Sequence, residues 1–182
     1  MENITPMLRQ YQELKSRYAD CILFFRLGDF YEMFYDDAKV ASGILDVVLT
    51  SRDAGKGGRI PMCGIPYHAK DSYLAKLIKA GFKVAICEQV EDPALAKGLV
   101  KRDVIRIITS GTFIDEASSD SRYLMSLSFN DGGIGVSFTD AFSGQIQTNA
   151  YADKAKVIES IAKLPLYECL FPAGDEEKEI GR

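Results

Sequence analysis

The chain has little of the material from which many catalytic and metal sites are built. Its 182 residues include one histidine, His68, and four cysteines that form no C-x-x-C pair. These counts argue against a zinc site or a disulfide framework and against a catalytic triad based on histidine. The sequence also has no G-x-x-x-x-G-K-[ST] motif, so it contains no phosphate-binding P-loop. We therefore predict no catalytic residue, no metal site and no cofactor in this chain.

Membrane and export signals are missing as well. No apolar run approaches the roughly 20 residues that a membrane-spanning helix requires. The N-terminus has neither the basic nor the apolar region of a secretory signal peptide. We therefore expect a cytoplasmic protein with no membrane partner.

The charge is nearly balanced but unevenly distributed. Residues 1–115 contain 16 Lys and Arg against 15 Asp and Glu, whereas residues 116–182 contain 6 against 11. A domain that binds nucleic acid through charge alone is more basic than this. Any such role must depend on local basic loops or on residues outside this chain.

Apolar periodicity predicts helices that alternate with short strands in the first part of the chain. Thr5 is a good N-cap and Pro6 suits the first helical position, so an N-terminal helix begins there. This alternation indicates an α/β layer structure. The other expected elements are strands at 21–25, 30–34, 83–88 and 104–108, a helix capped by Asp36-Asp37, and a helix over 73–78 that ends at Gly81.

Two segments between these elements look irregular. Residues 52–59 are rich in Gly, Lys and Arg and are interpreted as a mobile basic loop that cannot pack in a core. Residues 60–67 are interrupted by Pro and Gly, which is typical of an edge strand.

A second domain is predicted after the polar stretch 111–121. The expected organisation is a first domain at 1–115, a linker at 116–121 and a second domain at 122–182. In the second domain Asn130-Asp131-Gly132-Gly133 indicates a hairpin turn. A third strand near 145–151, a helix capped by Asp153 and a strand at 166–171 follow. This βββαβ order leaves a short sheet with few covering helices, so we expect the chain to be a fragment.

Few side chains stand out as functional from their chemistry alone. Phe30 and Glu32 share one face of a predicted strand, and the ordinary interpretation is a core residue and a solvated residue. Asp36-Asp37 fits a helix N-terminus better than a metal-binding pair, and Asp140 fits a turn better than a nuclease carboxylate. The basic residues are interpreted as solvated loops; they are Arg52, Lys56 and Arg59 in one cluster and Lys97, Lys101, Arg102 and Arg106 in the other.

Five motifs, however, occur together in the order of a known family. They are T-P-M at 5–7, F-R-L-G-D-F-Y-E-M-F at 25–34, I-P-M-C-G-I-P-Y-H-A at 60–69, A-I-C-E-Q at 85–89 and R-I-I-T-S-G-T at 106–112. Together they closely resemble the N-terminus of the MutS family of DNA mismatch-recognition proteins, over about residues 4–115. Residues 122–182 resemble the start of that family's connector domain, with weaker motifs.

The resemblance implies a fold and a set of site residues. The implied fold is α/β, with a mixed-sheet mismatch-recognition domain followed by part of an RNase H-like connector domain. In post-replicative mismatch repair, Phe30 would wedge into kinked duplex DNA from the minor groove, beside a mispaired or unpaired base, and Glu32 would hydrogen-bond that base. Arg52, Met62 and Arg102 align with positions expected near the DNA backbone or groove.

The resemblance also implies partners and leaves alternatives open. Mismatched double-stranded DNA is the expected partner of this chain, whereas a homodimer, a MutL-type repair partner, and ATP and Mg are expected for the full-length parent, whose ATPase part is missing here. One alternative is a nuclease fragment of the RNase H type, which predicts an acidic metal cluster with Asp140 as its plausible member. Another is a relative that binds branched DNA outside repair, although those relatives usually lack the Phe-x-Glu pair.

Overall fold

A computed structural model describes residues 4–56, 58–92, 96, 98–114, 121–162 and 164–172. Contacts between residues divide the chain into two compact units, Met1–Thr109 and Ser110–Arg182. The predicted boundaries at 115 and 122 stay predictions, and residue 115 and residues 116–120 of the predicted linker lie outside the described residues. Within the described part of the chain, no helix is long and apolar enough to cross a membrane.

The first unit is built on a six-stranded mixed sheet. In chain order the helices and strands are α1 (Pro6–Arg17), β1 (Cys21–Leu27), β2 (Phe30–Phe34), α2 (Tyr35–Leu45), β3 (Thr50–Asp53), β4 (Arg59–Pro66), α3 (Lys70–Lys79), β5 (Lys83–Gln89) and β6 (Arg102–Ile108). A single 3₁₀ turn, Tyr67–Ala69, precedes α3. The strands lie in the order β3-β4-β2-β1-β5-β6; β1 and β5 are parallel, and the other neighbouring pairs are antiparallel.

Helix α1 forms where the sequence predicts it. The Thr5 hydroxyl accepts a hydrogen bond from the backbone N–H of Leu8 at 3.4 Å, as an N-cap does. Leu8, Tyr11 and Leu14 recur at helical spacing and are buried, and they pack in one hydrophobic cluster with residues of the central strands. The periodic stripe therefore faces the sheet.

The central strands are buried on both faces, which makes them rigid supports for the loops at their ends. Phe24 and Phe25 of β1 are both fully buried although their side chains point to opposite faces. In β2, Tyr31 and Met33 are buried on one face, while Phe34 is buried on the other. Phe30 is the exposed member of this strand.

Two sequence interpretations are wrong in the hairpin that β3 and β4 form. Residues 52–59 are not a loop without core contacts, because Ala54 is fully buried in the same cluster as Leu8 and Tyr11. The chain turns tightly around Ala54, whose N–H donates to Gly58 O at 2.7 Å. Strand β4 is also not an edge strand, since it lies between β3 and β2. The partner on the outer side of β4 is β3, a polar strand. Its sequence contains no apolar pattern from which a strand could be predicted.

Asp37 has a different role from the predicted helix cap. Phe34 occupies the N-cap position of α2, and Asp37 lies in the first turn. Its buried carboxylate accepts hydrogen bonds from the Tyr11 hydroxyl and the Leu23 N–H, both at 3.0 Å, and pairs with Lys15 Nζ at 2.9 Å. Burial, with the nearby Asp37 charge, raises the pKa of the Tyr11 hydroxyl above its ordinary value.

The second unit has the predicted βββαβ order. The elements are β7 (Tyr123–Asn130), β8 (Gly133–Asp140), β9 (Ile146–Tyr151), α4 (Lys154–Ile161) and β10 (Leu166–Leu170). The strands lie in the order β10-β7-β8-β9, with β10 and β7 parallel. Gly133 begins the second strand of the predicted hairpin, and a Cβ there would lie 2.3 Å from Tyr151 O, so only glycine fits. The Asp153 carboxylate caps α4 by accepting from Lys156 N at 3.0 Å.

Candidate nucleic-acid interface

The turn between β1 and β2 is held by one side-chain and one backbone hydrogen bond. Gly28 has a φ of +55°, a left-handed conformation that suits glycine. The Arg26 Nε–H donates to the Gly28 carbonyl, and the backbone N–H of Tyr67 donates to Asp29 O at 2.9 Å. The turn that precedes Phe30 is therefore fixed by two hydrogen bonds, one from the end of β1 and one from the segment that follows β4.

Phe30 begins β2 directly after this turn, and 48% of its surface is exposed. Its backbone pairs with Leu27 on one side and Pro66 on the other. The interpretation of Phe30 as a core residue, made from its chemistry alone, is therefore wrong. The structure presents an aromatic ring to solvent on a well-supported backbone.

Glu32 is two residues further along the same face of β2, and it is not solvated. Only 15% of its side chain is exposed, and its Oε2 atom forms an ion pair with the guanidinium of Arg52. Arg52 comes from β3, so its side chain crosses β4 to reach Glu32. The interpretation of Glu32 as a solvated residue is also wrong, because this partner from a distant segment covers it.

The strand between Glu32 and Arg52 presents no side chain directly opposite Glu32. Gly64 of β4 lies directly opposite Glu32, and a Cβ at Gly64 would be 3.6 Å from Glu32 Cγ. Met62 lies two residues away, pairs with Phe34, and is partly buried against the core. The structure thus brings Phe30, Glu32, Arg52 and Met62 to neighbouring positions on one sheet face.

Arg102, the fifth predicted site residue, is only 6% exposed. Its guanidinium donates to Arg26 O at 2.6 Å, to Val100 O at 2.8 Å and to Gln10 Oε1 at 3.1 Å. It also lies 5.1 Å from the centre of the Phe25 ring. Burial lowers the pKa of the Arg102 guanidinium. These contacts support the strand below the turn, so the predicted DNA contact of Arg102 stays a prediction that this geometry does not favour.

Sequence reasoning missed the residues that brace the turn from the other face of the sheet. The Arg26 guanidinium stacks over the Tyr67 ring, with 3.7 Å between Cζ and the ring centre, and lies 3.8 Å from the Glu88 carboxylate. The Tyr31 hydroxyl donates to the same carboxylate, and burial raises the pKa of Tyr31. The alternation of β2 could have placed Tyr31 opposite Phe30, but no local signal shows that Glu88 meets it.

The remaining candidate residues do not join this surface. Lys56, Arg59, Lys101 and Arg106 are exposed, as solvated basic residues are, and Lys97 lies outside the described residues. The Asp140 carboxylate accepts from the backbone N–H groups of Phe142 and Ser143, which lowers its pKa and makes it a turn residue as predicted. Among the residues that the structure describes, no group of three His, Cys, Asp or Glu side chains is placed to hold a metal ion.

The fold and this surface define a mixed α/β protein that presents a braced aromatic side chain beside a carboxylate–guanidinium pair. The family model described as MutS domain I matches residues 5–117. The chain is also 48% identical, over 167 residues, to the DNA mismatch repair protein MutS of Staphylococcus aureus strains JH9 and Newman. Each match covers 90% of this chain and 19% of the relative, so the chain spans about a fifth of the length of these relatives. The chain belongs to the MutS family.

Proposed function

We propose that this chain is the mismatch-recognition part of a longer MutS protein, followed by the start of its connector domain, and that it acts in post-replicative mismatch repair. Its partner would be duplex DNA that contains a mispaired or unpaired base. The observation that carries the proposal is the half-exposed Phe30 on a turn fixed by its neighbours, in a member of this family.

A rigid apolar side chain suits the recognition of many different mismatches. Mispaired bases share no single hydrogen-bond pattern, but they stack poorly and make the duplex easier to kink. Inserting a wedge unstacks a base step at a cost of a few kcal/mol, and that cost is lower where stacking is already weak. The Phe30 ring is flat and has no polar group that needs a partner. Its bracing means that the energy of insertion deforms the DNA rather than the protein.

Glu32 would read the displaced base and oppose binding to normal DNA. A carboxylate near phosphates is repelled by a correctly paired duplex, whereas a base that shifts toward it can donate a hydrogen bond. Phe30 and Glu32 lie on one face of one strand, so a base beside the wedge would lie within reach of the carboxylate. Phe30 would thus insert into the duplex, and Glu32 would discriminate mismatched from matched DNA.

Arg52 and Met62 would contact the DNA at the margin of this surface. Arg52 keeps 37% of its side chain exposed while paired with Glu32, which supports an additional contact with a phosphate. Met62 pairs with Thr50, so it lies diagonally across from Arg52 on the same face, and it would contact the groove. The proposal assigns Arg102 to supporting the turn.

We propose that the longer protein works in the cytoplasm as a homodimer with a MutL-type partner, and that ATP and Mg act in an ATPase part outside this chain. Asp140 serves a turn, and this arrangement does not favour the alternative of an RNase H-type nuclease.

Fluorescence anisotropy of labelled duplexes tests the proposal. In the full-length protein, Phe30→Ala should lower affinity for a G·T duplex to the level for a matched duplex, since it removes the wedge alone. Phe142→Ala is the control, because Phe142 is an exposed aromatic residue of the second unit; it should keep the preference for the mismatch. If Phe30→Ala retains the full preference, the proposed function is wrong.

A further inference from the structure

The ion pair between Glu32 and Arg52 joins two parts of the proposed site that the family resemblance treats separately. The two residues are 20 positions apart in sequence, on strands separated by β4. We propose that Arg52 is a positioning residue for Glu32, and that it determines how well the site distinguishes mismatched from matched DNA. This inference rests on the proposed function and goes beyond a phosphate contact for Arg52.

The geometry gives the two carboxylate oxygens different roles. Arg52 engages Oε2 of Glu32, so Oε1 is the oxygen that can accept a hydrogen bond from a displaced base. The guanidinium lies 5.9 Å from the centre of the Phe34 ring, and Phe34 is fully buried on the same strand as Glu32. A guanidinium at the limit of cation–π distance from this buried ring is restricted in position, and the ion pair passes that restriction to the carboxylate. The base would therefore meet an oriented acceptor.

The pair also sets the charge that DNA encounters. An arginine beside Glu32 offsets part of the repulsion between its carboxylate and phosphates. If a phosphate draws the guanidinium toward itself, Glu32 loses that compensation unless a base donor replaces it. A mismatched duplex can supply the donor, whereas a correctly stacked base cannot. Arg52 thus links phosphate binding to base recognition.

A double-mutant cycle on the full-length protein separates this role from a simple phosphate contact. The measured quantity is the ratio of Kd values for matched and G·T duplexes in wild type, Arg52→Met, Glu32→Ala and the double variant. If Arg52 acts through Glu32, Arg52→Met should reduce the ratio about fivefold when Glu32 is present and leave it unchanged in the Glu32→Ala background, because interacting residues are not additive. Equal effects in both backgrounds would overturn the inference.

Arg59→Met is the matched control. Arg59 belongs to the same β3–β4 hairpin, but its guanidinium donates hydrogen bonds to the hydroxyl and the carbonyl of Ser51 rather than to Glu32. Its loss removes the same charge, so it should shift both Kd values by one common factor. A change in the ratio as large as that of Arg52→Met would attribute the effect to net charge and overturn the inference.

The outcomes also separate this inference from the proposed function. If Phe30→Ala keeps the preference for the mismatch, the proposed function fails first. If Phe30→Ala abolishes the preference and the cycle is additive, only the role of Arg52 is wrong.

The Arg52→Lys variant separates charge from geometry, since it keeps the positive charge and loses the planar guanidinium. It should retain matched-duplex affinity and lose discrimination, and full discrimination by this variant would contradict the positioning role.

Discussion

Phe30 and Phe34 allow a direct test of whether the exposed ring contributes to the core. Both lie on β2 and on the same face of the sheet, but Phe30 is 48% exposed and Phe34 is fully buried. Complete burial of a Phe side chain stabilises a protein by about 1.5–3 kcal/mol. Because Phe30 is about half buried and its truncation leaves no closed cavity, Phe30→Ala should lower the free energy of unfolding by about 1 kcal/mol. Phe34→Ala should cost about 3–5 kcal/mol, since it adds a cavity.

Urea denaturation of the 182-residue chain, followed by circular dichroism, measures both effects. The midpoint should shift several times further for Phe34→Ala than for Phe30→Ala if the slope is unchanged. Equal shifts would mean that Phe30 packs into the core in solution. A wedge must be free to leave its surroundings, so that result would refute the assignment of Phe30.

Three further predictions follow from buried groups. Asp37→Asn breaks a buried contact with the partly exposed Lys15 and should destabilise the chain by about 2–3 kcal/mol; a loss below about 1 kcal/mol in urea denaturation would contradict this. Burial raises the pKa of the Cys63 thiol to about 11 and that of Cys87 to about 12, whereas thiols in an unfolded chain have a pKa of about 8.5. The unfolded chain therefore releases protons that the folded chain keeps, and the melting temperature should fall as the pH rises from about 9 toward the folded values; an unchanged melting temperature over that range would contradict this. Arg102→Met should lower the melting temperature and, because it loosens the turn that carries Phe30, weaken binding of the mismatched duplex more than that of the matched duplex; an equal loss for both duplexes in anisotropy titrations, at an unchanged melting temperature, would instead support the DNA contact predicted from sequence.

Local patterns were sufficient to predict most elements of the fold. Thr5 and Asp153 cap helices as their positions indicate, and the alternation in β2 correctly separates Phe30 from Tyr31. The hairpin turn before Gly133 also forms as predicted. These features depend on neighbours within a few residues, so the sequence contains their physical causes.

The failures involve partners that are distant in sequence. Ala54 lies in a Gly-rich basic segment. It is buried because it packs against the α1 cluster and because the adjacent Gly55 forms a β-bridge with Ile4. Glu32 resembles a solvated residue until Arg52 reaches it across β4. Arg102 looks like a surface cation, but three hydrogen-bond acceptors surround it in the fold. These long-range contacts leave no periodicity or spacing along the chain from which they could be predicted.

The kink of the DNA tests the role of Phe30 most directly. A G·T duplex labelled at its two ends reports bending by energy transfer, and a saturating concentration of full-length protein separates bending from affinity. Wild-type protein should bring the ends closer, because the wedge opens one base step. Phe30→Ala at saturation should leave the duplex nearly as straight as free DNA. An equal increase in energy transfer for wild type and Phe30→Ala would contradict the claim that Phe30 is the wedge.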